Sequence, residues 1–214
     1  GYDWYDKLIH VPYGTVSING EKLATRTGNV ILLRDLFASA IEKVHDIMTE
    51  KNPDLPDLDA AAEAVGVGAI VFYYLANNRI KDINFVMQDA LSFEGNTGPY
   101  VQYTYARCCS LLEKAGEQPA LCGSVTAPEE KALLKTLSLY PEKLQQALNE
   151  YEPSVIARYI LDVCADFNRF YHECQILSAD SPEVRTFRVA LVAATRSVLG
   201  SAFDLICLKK IAKI

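Results

Sequence analysis

A basic, glycine-containing segment near the start of the chain carries side chains suited to binding an anion. It reads SINGEKLATRTGNV over residues 17–30 and places Lys22 and Arg26 four residues apart. Hydroxyl and amide side chains and a second glycine stand beside these two cations. Cations and neutral donors of this kind stabilise negative charge on an anionic ligand. The segment therefore predicts an anion-binding loop, and the alternative is a solvated basic loop after a hairpin.

A second group of candidate binding residues lies on a helix that is predicted to begin at residues 98–99, a Gly-Pro pair. Tyr100, Tyr103 and Arg107 follow at helical spacing, so they share one face. Unpaired RNA bases are recognised by stacking on aromatic rings or arginine planes. Pro99 is expected to leave the N-terminal amides of the helix free for a phosphate or a base edge. The alternative is that the tyrosines only pack the bundle.

A third group accompanies a long helix that is predicted to follow Pro153 and to be the longest of the chain. Its apolar positions keep one face, which assigns Phe167, Phe170 and Cys174 to the core. Beside that face, the candidate RNA contacts are Arg169, Tyr171 and His172. Arg169 and His172 are equally compatible with surface or capping roles. Cys164, His172 and Cys174 match no common zinc spacing, so no metal site is predicted.

The elements that position these groups follow from the hydrophobic pattern. Residues 10–18 are predicted to be extended, and Asn19-Gly20 is predicted to be a tight turn, because both residues tolerate positive φ. From Leu32 onward the apolar spacing is helical. The sequence thus predicts a mainly α fold, with a short β segment and a loop followed by a helical bundle.

Several local features of the helices are predicted as well. Gly66 and Gly68 lie inside the second helix, where they favour close packing against a neighbour. Thr126 and Glu129 are expected to form a capping box at the start of a helix. Gly200 is expected to interrupt the last helix, which begins at Pro182.

Composition limits the classes of function. The formal charge of the 214 residues is −6, which argues against a protein that coats nucleic acid indiscriminately. Residues 31–150 hold 17 acidic and 10 basic residues, a net charge of −7, so the acidity is concentrated in the middle of the chain. Six cysteines without CxxC spacing predict a reduced, cytoplasmic protein. No secretory signal and no uninterrupted apolar run of about 18 residues are found, so no membrane association is expected.

Three segments of the chain resemble class I arginyl-tRNA synthetases, in the same order. HVPYGTVSINGEKLATRTGNVILLRDL resembles the segment that carries the KMSKS-type loop of that family. DALSFEGNTGPYVQYTYARCCSLL resembles the start of its anticodon-binding domain, and EPSVIARYILDVCADFNRFYHECQIL resembles the long central helix of that domain. The resemblance implies that residues 1–92 end a class I catalytic domain and that residues 93–214 form an all-α anticodon-binding domain of the DALR type.

The resemblance also implies a function, an ATP-dependent arginine–tRNA ligase that binds tRNA(Arg) and arginine and uses ATP with Mg. The loop positions that match the family motif are Lys22, Thr25 and Arg26, with catalytic roles, and Gly28 and Asn29, with ATP-binding roles. Ala24, Thr25 and Thr27 depart from the motif and leave fewer cations, so a weaker contribution to ATP chemistry is expected. No HIGH-type motif or glycine-rich phosphate loop occurs, so the chain alone is expected to be inactive and to hold no cofactor tightly.

The C-terminal tail departs from the family, which often ends in a methionine that shapes the anticodon pocket. Here the chain ends in DLICLKKIAKI, and Ile211 or Ile214 is expected to take the apolar role. A monomer is expected. Two alternatives from other classes stay open at this point: a stand-alone helical RNA-binding module derived from a synthetase, and a helical protein-interaction module.

Overall fold

The structure is a computed structural model that describes residues 1–22, 31–116 and 123–214. Its elements, in chain order, are a 3-10 helix Tyr5–Lys7, β1 Val16–Ile18, β2 Glu21–Lys22, α1 Leu33–Lys51, α2 Leu58–Ala76, β3 Ile83–Phe85, α3 Met87–Ala90, α4 Gly98–Ala115, α5 Pro128–Ser138, α6 Tyr140–Glu150, α7 Ser154–Glu173 and α8 Pro182–Leu205. The predicted fold class, a short β segment followed by a helical bundle, is confirmed.

A small sheet with strand order β2-β1-β3 forms at the start of the chain. β1 and β2 are antiparallel and are joined by the predicted turn, in which Asn19 and Gly20 have φ values of 51° and 82°. β3 runs parallel to β1, with Ile18 opposite Phe85. The pattern of the sequence did not indicate β3, because a strand of three residues whose partner lies far away in the chain has too little periodicity to stand out.

Helix α2 connects the two hydrophobic clusters of the described residues. Val65 and Ile70 belong to the cluster that α1 and β3 share, whereas Phe72 belongs to the larger cluster of the C-terminal helices. By length and composition α2 is apolar enough to cross a membrane, with a mean hydropathy of 1.5 over its best window. Half of that window is buried inside the protein, which is the behaviour of a core helix.

The two glycines inside α2 permit the close packing that the sequence predicted. A Cβ at Gly66 would lie 2.9 Å from the Cα of Ile41 on α1. At Gly68 it would lie 2.9 Å from the Oε1 of Gln102 on α4. Distances this short are not available to a real Cβ. At Gly66 the contacting atoms are backbone, so α1 approaches α2 this closely only because the position is glycine, whereas at Gly68 the contacting atoms are side-chain ends that a Cβ would displace.

The predicted capping box at the start of α5 is wrong by one residue. Glu130, not Glu129, folds back, and its Oε2 accepts hydrogen bonds from the backbone N–H groups of Thr126 at 2.7 Å and Ala127 at 3.0 Å. The helix begins at Pro128, with Ala127 as its N-cap residue. Glu130 is therefore the N3 residue, the position from which a side chain reaches back to the cap.

Two predictions about the last helices are also wrong. α8 has 24 residues and α7 has 20, so the helix after Pro153 is not the longest. Gly200 does not interrupt α8, which continues to Leu205. The position is instead one of close approach, because a Cβ there would lie 3.3 Å from Lys210 and 3.4 Å from Tyr105.

Candidate nucleic-acid interface

A tyrosine–arginine–tyrosine stack lies between α4 and α7. The Arg107 guanidinium carbon is 4.9 Å from the centroid of the Tyr103 ring and 4.6 Å from the centroid of the Tyr171 ring. Tyr103 and Arg107 are one turn apart on α4, and Tyr171 lies in the last turn of α7. The Tyr103 and Tyr171 residues remain 42% and 37% exposed, so parts of their surfaces face solvent. We refer to these three residues as the Tyr–Arg–Tyr stack.

Asn168 fixes the arginine of this stack. Its Oδ1 accepts a hydrogen bond of 2.6 Å from Nη1 of Arg107, and its Nδ2 donates to the Tyr100 hydroxyl at 2.8 Å. Burial raises the pKa of Tyr100, and the hydrogen bond from Asn168 offsets this only in part, so Tyr100 remains a neutral phenol. Tyr100 thus supports the stack from behind through Asn168.

The partners that the structure shows for Arg107 are neutral: two aromatic rings and an amide oxygen. Among the residues that the structure describes, no carboxylate forms an ion pair with Arg107. Aromatic faces and an amide oxygen hold a guanidinium in place without cancelling its net charge. A half-buried cation in this state is available to an anionic or hydrogen-bond-accepting ligand.

The stack forms one side of a cleft of about 470 Å³. Asn52 and Asp54, from the connection between α1 and α2, and the C-terminal residues Lys213 and Ile214 line the rest of it. Ile214, one of the two residues expected to take the apolar role of the tail, thus lines the cleft, and its role stays a prediction. The sequence did not indicate Asn52 and Asp54, because their loop lies far from α4 in the chain and only the packing of α2 brings it to the cleft.

The C-terminal tail is held against the helices by Gln102, which is fully buried. The Nε2 of Gln102 donates to the backbone oxygen of Ala64 on α2 at 3.3 Å and to that of Lys209 at 3.0 Å. Lys213 also lies 3.4 Å from the carboxylate of Glu113. These contacts tie the tail to α2 and α4, and they fix the position of Ile214 at the cleft.

The other predicted RNA contacts occupy different positions. Arg169 is directed to Asp166, with 3.9 Å between Nη1 and Oδ1, and it does not line the cleft. His172 packs its ring edge-on against Tyr171, with 5.6 Å between the centroids, and lines a separate cavity of about 260 Å³. The structure therefore brings together Tyr103, Arg107 and Tyr171, places His172 beside them and leaves Arg169 apart.

The N-terminus of α4 is not open to a ligand as the sequence suggested. The Thr97 hydroxyl accepts a hydrogen bond of 3.3 Å from the Tyr100 backbone N–H, which caps the helix. Gly98 and Pro99 are buried, and a Cβ at Gly98 would lie 2.7 Å from the backbone oxygen of Gly68. The prediction of free amides at this helix end is wrong, because α2 packs directly against it.

The predicted catalytic and ATP-binding positions Thr25, Arg26, Gly28 and Asn29, together with the side chain of Lys22, lie outside the described residues. The hairpin that leads to them is anchored by β3. The Asn84 Oδ1 accepts a hydrogen bond of 2.7 Å from the backbone N–H of Gly20, in the turn between β1 and β2. Asp82 accepts from the backbone N–H and the hydroxyl of Thr15, both at 2.7 Å.

Five of the six cysteines lie in the described ranges, and they are not clustered with other metal-ligating side chains. Within the described ranges, no group of three or more His, Cys, Asp or Glu side chains is arranged to hold a metal ion. Cys108, Cys109, Cys164, Cys174 and Cys207 are free thiols. Burial raises the pKa of Cys164 to about 12, so this thiol stays protonated and unreactive near neutral pH.

Each of the two parts of the chain matches a known family model. Residues 101–214 match the family model of the DALR anticodon binding domain, and residues 1–87 match that of the class I tRNA synthetase (R) catalytic domain. The chain belongs to the DALR anticodon binding domain family.

The similar proteins are arginine–tRNA ligases. The enzyme of Clostridium botulinum is 42% identical over 96% of this chain, and that of Ligilactobacillus salivarius is 40% identical over 98%. In each case the chain spans 37% of the relative's length. The arginyl-tRNA synthetase of Thermus thermophilus superposes with a TM-score of 0.89 at 35% identity, with 96% of this chain and 35% of that chain covered.

Proposed function

We propose that the chain is the part of an arginine–tRNA ligase that binds the anticodon stem-loop of tRNA(Arg) and carries the KMSKS-like loop. The observation that carries the proposal is the Tyr–Arg–Tyr stack, which lies at the edge of a cleft within the segment that matches the anticodon-binding family. Exposed tyrosine rings beside an unneutralised arginine are suited to unpaired bases and to the phosphates between them.

The chemistry of the cleft supports a base as its occupant. Each tyrosine ring offers an apolar face for stacking, and Ile214 adds an apolar wall. Arg107 supplies donors to a base edge or a phosphate, and Asn52 supplies an amide. Asp54 introduces a negative charge that disfavours a row of phosphates deep in the cleft. A single base turned inward, with its phosphate near the rim, satisfies all of these groups.

A division of labour along the chain completes the proposal. Residues 1–92 form the end of the class I catalytic domain, and residues 93–214 form the anticodon-binding domain. Lys22, Thr25, Arg26, Gly28 and Asn29 contact ATP, bound with Mg, while arginine is activated by the full-length enzyme. In this proposal the chain by itself is inactive, monomeric and cytoplasmic. Tyr100 contributes to RNA binding through the stack that it supports, and Arg169 and His172 contribute from outside the cleft.

The test is a titration of the chain with tRNA(Arg) and with an unrelated tRNA at two salt concentrations. Tyr103→Ala removes one ring of the stack, and Tyr5→Ala removes an exposed ring at the N-terminus as a matched control. We expect tighter binding of tRNA(Arg), a loss of about tenfold or more in Tyr103→Ala and no change in Tyr5→Ala, because stacking contributes about 1–3 kcal/mol per base.

Two other results would contradict the proposal. Equal and steeply salt-dependent binding of both tRNAs, unaffected by Tyr103→Ala, would mean that only phosphates are contacted. Absence of binding to either tRNA would leave residues 93–214 as a helical scaffold.

A further inference from the structure

A second cleft lies on the other side of Tyr103 and Ile214. Its volume is about 390 Å³, and these two residues, together with Asn52, line both it and the cleft of the Tyr–Arg–Tyr stack. Phe93, Lys51 and Glu94 form the far part of its lining. The two clefts are therefore neighbouring compartments of one groove, separated by a tyrosine ring and the last residue of the chain.

The second cleft repeats the chemistry of the first, since it also pairs an aromatic ring with a cation. The Lys51 ammonium lies 5.3 Å from the centroid of the Phe93 ring. Lys51 is exposed, and no carboxylate in the described parts of the chain forms an ion pair with it. A flexible lysine over a ring face is easily displaced by a base, and its ammonium then remains close enough to meet a phosphate.

Phe93 is held firmly although it lies in a connection between helices. Hydrogen bonds hold the backbone around Phe93. The Ser92 hydroxyl accepts a hydrogen bond of 3.1 Å from the Glu94 backbone N–H, and the Thr97 hydroxyl donates to the Ser92 backbone oxygen. The Phe93 ring is half-buried and packs against the hydrophobic cluster of α1 and α2. A stacking platform of this kind is fixed before the ligand arrives, so little order has to be gained on binding.

We infer that this second cleft receives another unpaired nucleotide of the same RNA strand, with its base on Phe93 and its phosphate near Lys51. The inference rests on the proposed function, because the first nucleotide must occupy the Tyr–Arg–Tyr stack. The Glu94 carboxylate and the Asn52 amide line the cleft, and a carboxylate accepts hydrogen bonds but donates none. The cleft therefore favours cytosine, adenine and guanine, which offer the carboxylate an exocyclic amino group, over uracil, which offers only its ring N3–H.

The experiment measures the affinity of the 214-residue chain for the anticodon stem-loop RNA of tRNA(Arg), with each loop nucleotide in turn made abasic. Two variants are compared with the unsubstituted chain. Phe93→Leu keeps an apolar side chain but removes the ring, and Tyr103→Leu does the same in the first cleft. Each substitution is expected to weaken binding of the intact loop by about fivefold to a hundredfold, the range of one lost stacking contact.

The abasic series separates the two clefts. In Phe93→Leu, removal of the base at one loop position is expected to cause no further loss of RNA affinity. In Tyr103→Leu, the same is expected at a different loop position. At the position assigned to Phe93, uracil is expected to bind more weakly than cytosine. If Phe93→Leu responds to every abasic position as the unsubstituted chain does, the second site does not exist, although the proposed function stands. If the unsubstituted chain is insensitive to every abasic position, the proposed function fails together with the inference.

A surface substitution tests the phosphate contact without risk to the fold. Lys51→Met is expected to reduce the slope of log affinity against log salt by about one, the contribution of one lost phosphate contact. Lys131→Met on α5 is the matched control, since Lys131 is also exposed and lines neither cleft. Equal slopes for Lys51→Met and Lys131→Met would overturn the assignment of Lys51.

Discussion

Two arginines of the helical bundle are held in opposite ways. Arg188 on α8 is 12% exposed, and its Nε lies 2.7 Å from the carboxylate of Glu130, which is fully buried. Its Nη1 also donates to the backbone oxygen of Gln175 at 2.8 Å. Arg107 on α4 has two aromatic faces and the Asn168 amide as its partners. The first cation is neutralised inside the fold, whereas the second keeps its charge at a cleft.

The difference separates a charge that is paired inside the fold from a charge that is accessible at a cleft. A buried ion pair is costly to break, because removal of one partner leaves the other charged and desolvated. Arg188 and Glu130 thus connect α5, α8 and the segment after α7, and they offer nothing to a ligand. The stack also holds the Arg107 side chain in a defined position, but its neutral partners leave the guanidinium charge available to a ligand in the cleft. The two regions should therefore respond differently to substitution.

The largest expected effect is on stability at the buried pair. Glu130→Gln is expected to lower the free energy of unfolding by about 3–5 kcal/mol, because the Arg188 charge loses its partner inside the protein. Urea denaturation followed by circular dichroism measures the change. Glu142→Gln is the control, because Glu142 occupies the first turn of α6 and is exposed. Similar urea midpoints for the two variants would show that the buried ion pair does not contribute to stability.

At the cleft, the expected effect is on binding instead of stability. Arg107→Lys keeps the charge but removes the planar group that stacks between the rings, so RNA affinity is expected to fall by about tenfold. The free energy of unfolding is expected to change by less than about 1 kcal/mol. A loss of stability as large as that of Glu130→Gln, with RNA binding intact, would reverse the roles assigned to the two arginines.

The stability that Glu130 contributes is also expected to depend on pH. Burial by itself raises the pKa of Glu130, but hydrogen bonds from Thr126, Arg188 and Ala127 outweigh it, so the pKa lies below its ordinary value of 4.5. The unfolded chain then takes up the proton at a higher pH than the folded chain does. The stability that this carboxylate contributes is therefore complete well above pH 4.5 and is lost as the pH falls through its folded pKa.

Denaturation curves between pH 3 and pH 6 provide the measurement. The difference in free energy of unfolding between the unsubstituted chain and Glu130→Gln is expected to be largest at pH 6 and to narrow toward pH 3. A difference that stays constant across this range would mean that Glu130 does not act through its charge.

The smallest expected effect is a lack of reaction at the buried thiol of Cys164. Cys164 lies one turn before Asn168 on α7, and burial raises its pKa to about 12. Cys207 is exposed. Iodoacetamide at neutral pH is expected to label Cys207 and to leave Cys164 unmodified until denaturant is added, as read by peptide mass spectrometry. Rapid labelling of Cys164 in the native chain would mean that the helical core around it opens.

Sequence reasoning succeeded where a property is local. The Asn19-Gly20 turn depends on two residues that tolerate positive φ, and the helical spacing of Tyr103 and Arg107 follows from the period of the helix. It was wrong about the start of α5, the length of α8 and the continuity of α8 at Gly200, because each depends on what packs against the helix. The roles predicted for residues 22–29 and for the RNA contacts stay predictions.

The residue types and helical periods, which are properties of short segments, were determined by the sequence alone. They placed a tyrosine and an arginine one turn apart on α4, and the resemblance to a synthetase family followed from motifs of the same length. The partners of these residues were decided by the tertiary structure. Tyr171 and Asn168 contact Arg107 from α7, and Ile214 lines the same cleft from the C-terminal tail, because the helices pack around α2. Such contacts arise from burial of distant apolar surfaces, which no local pattern encodes.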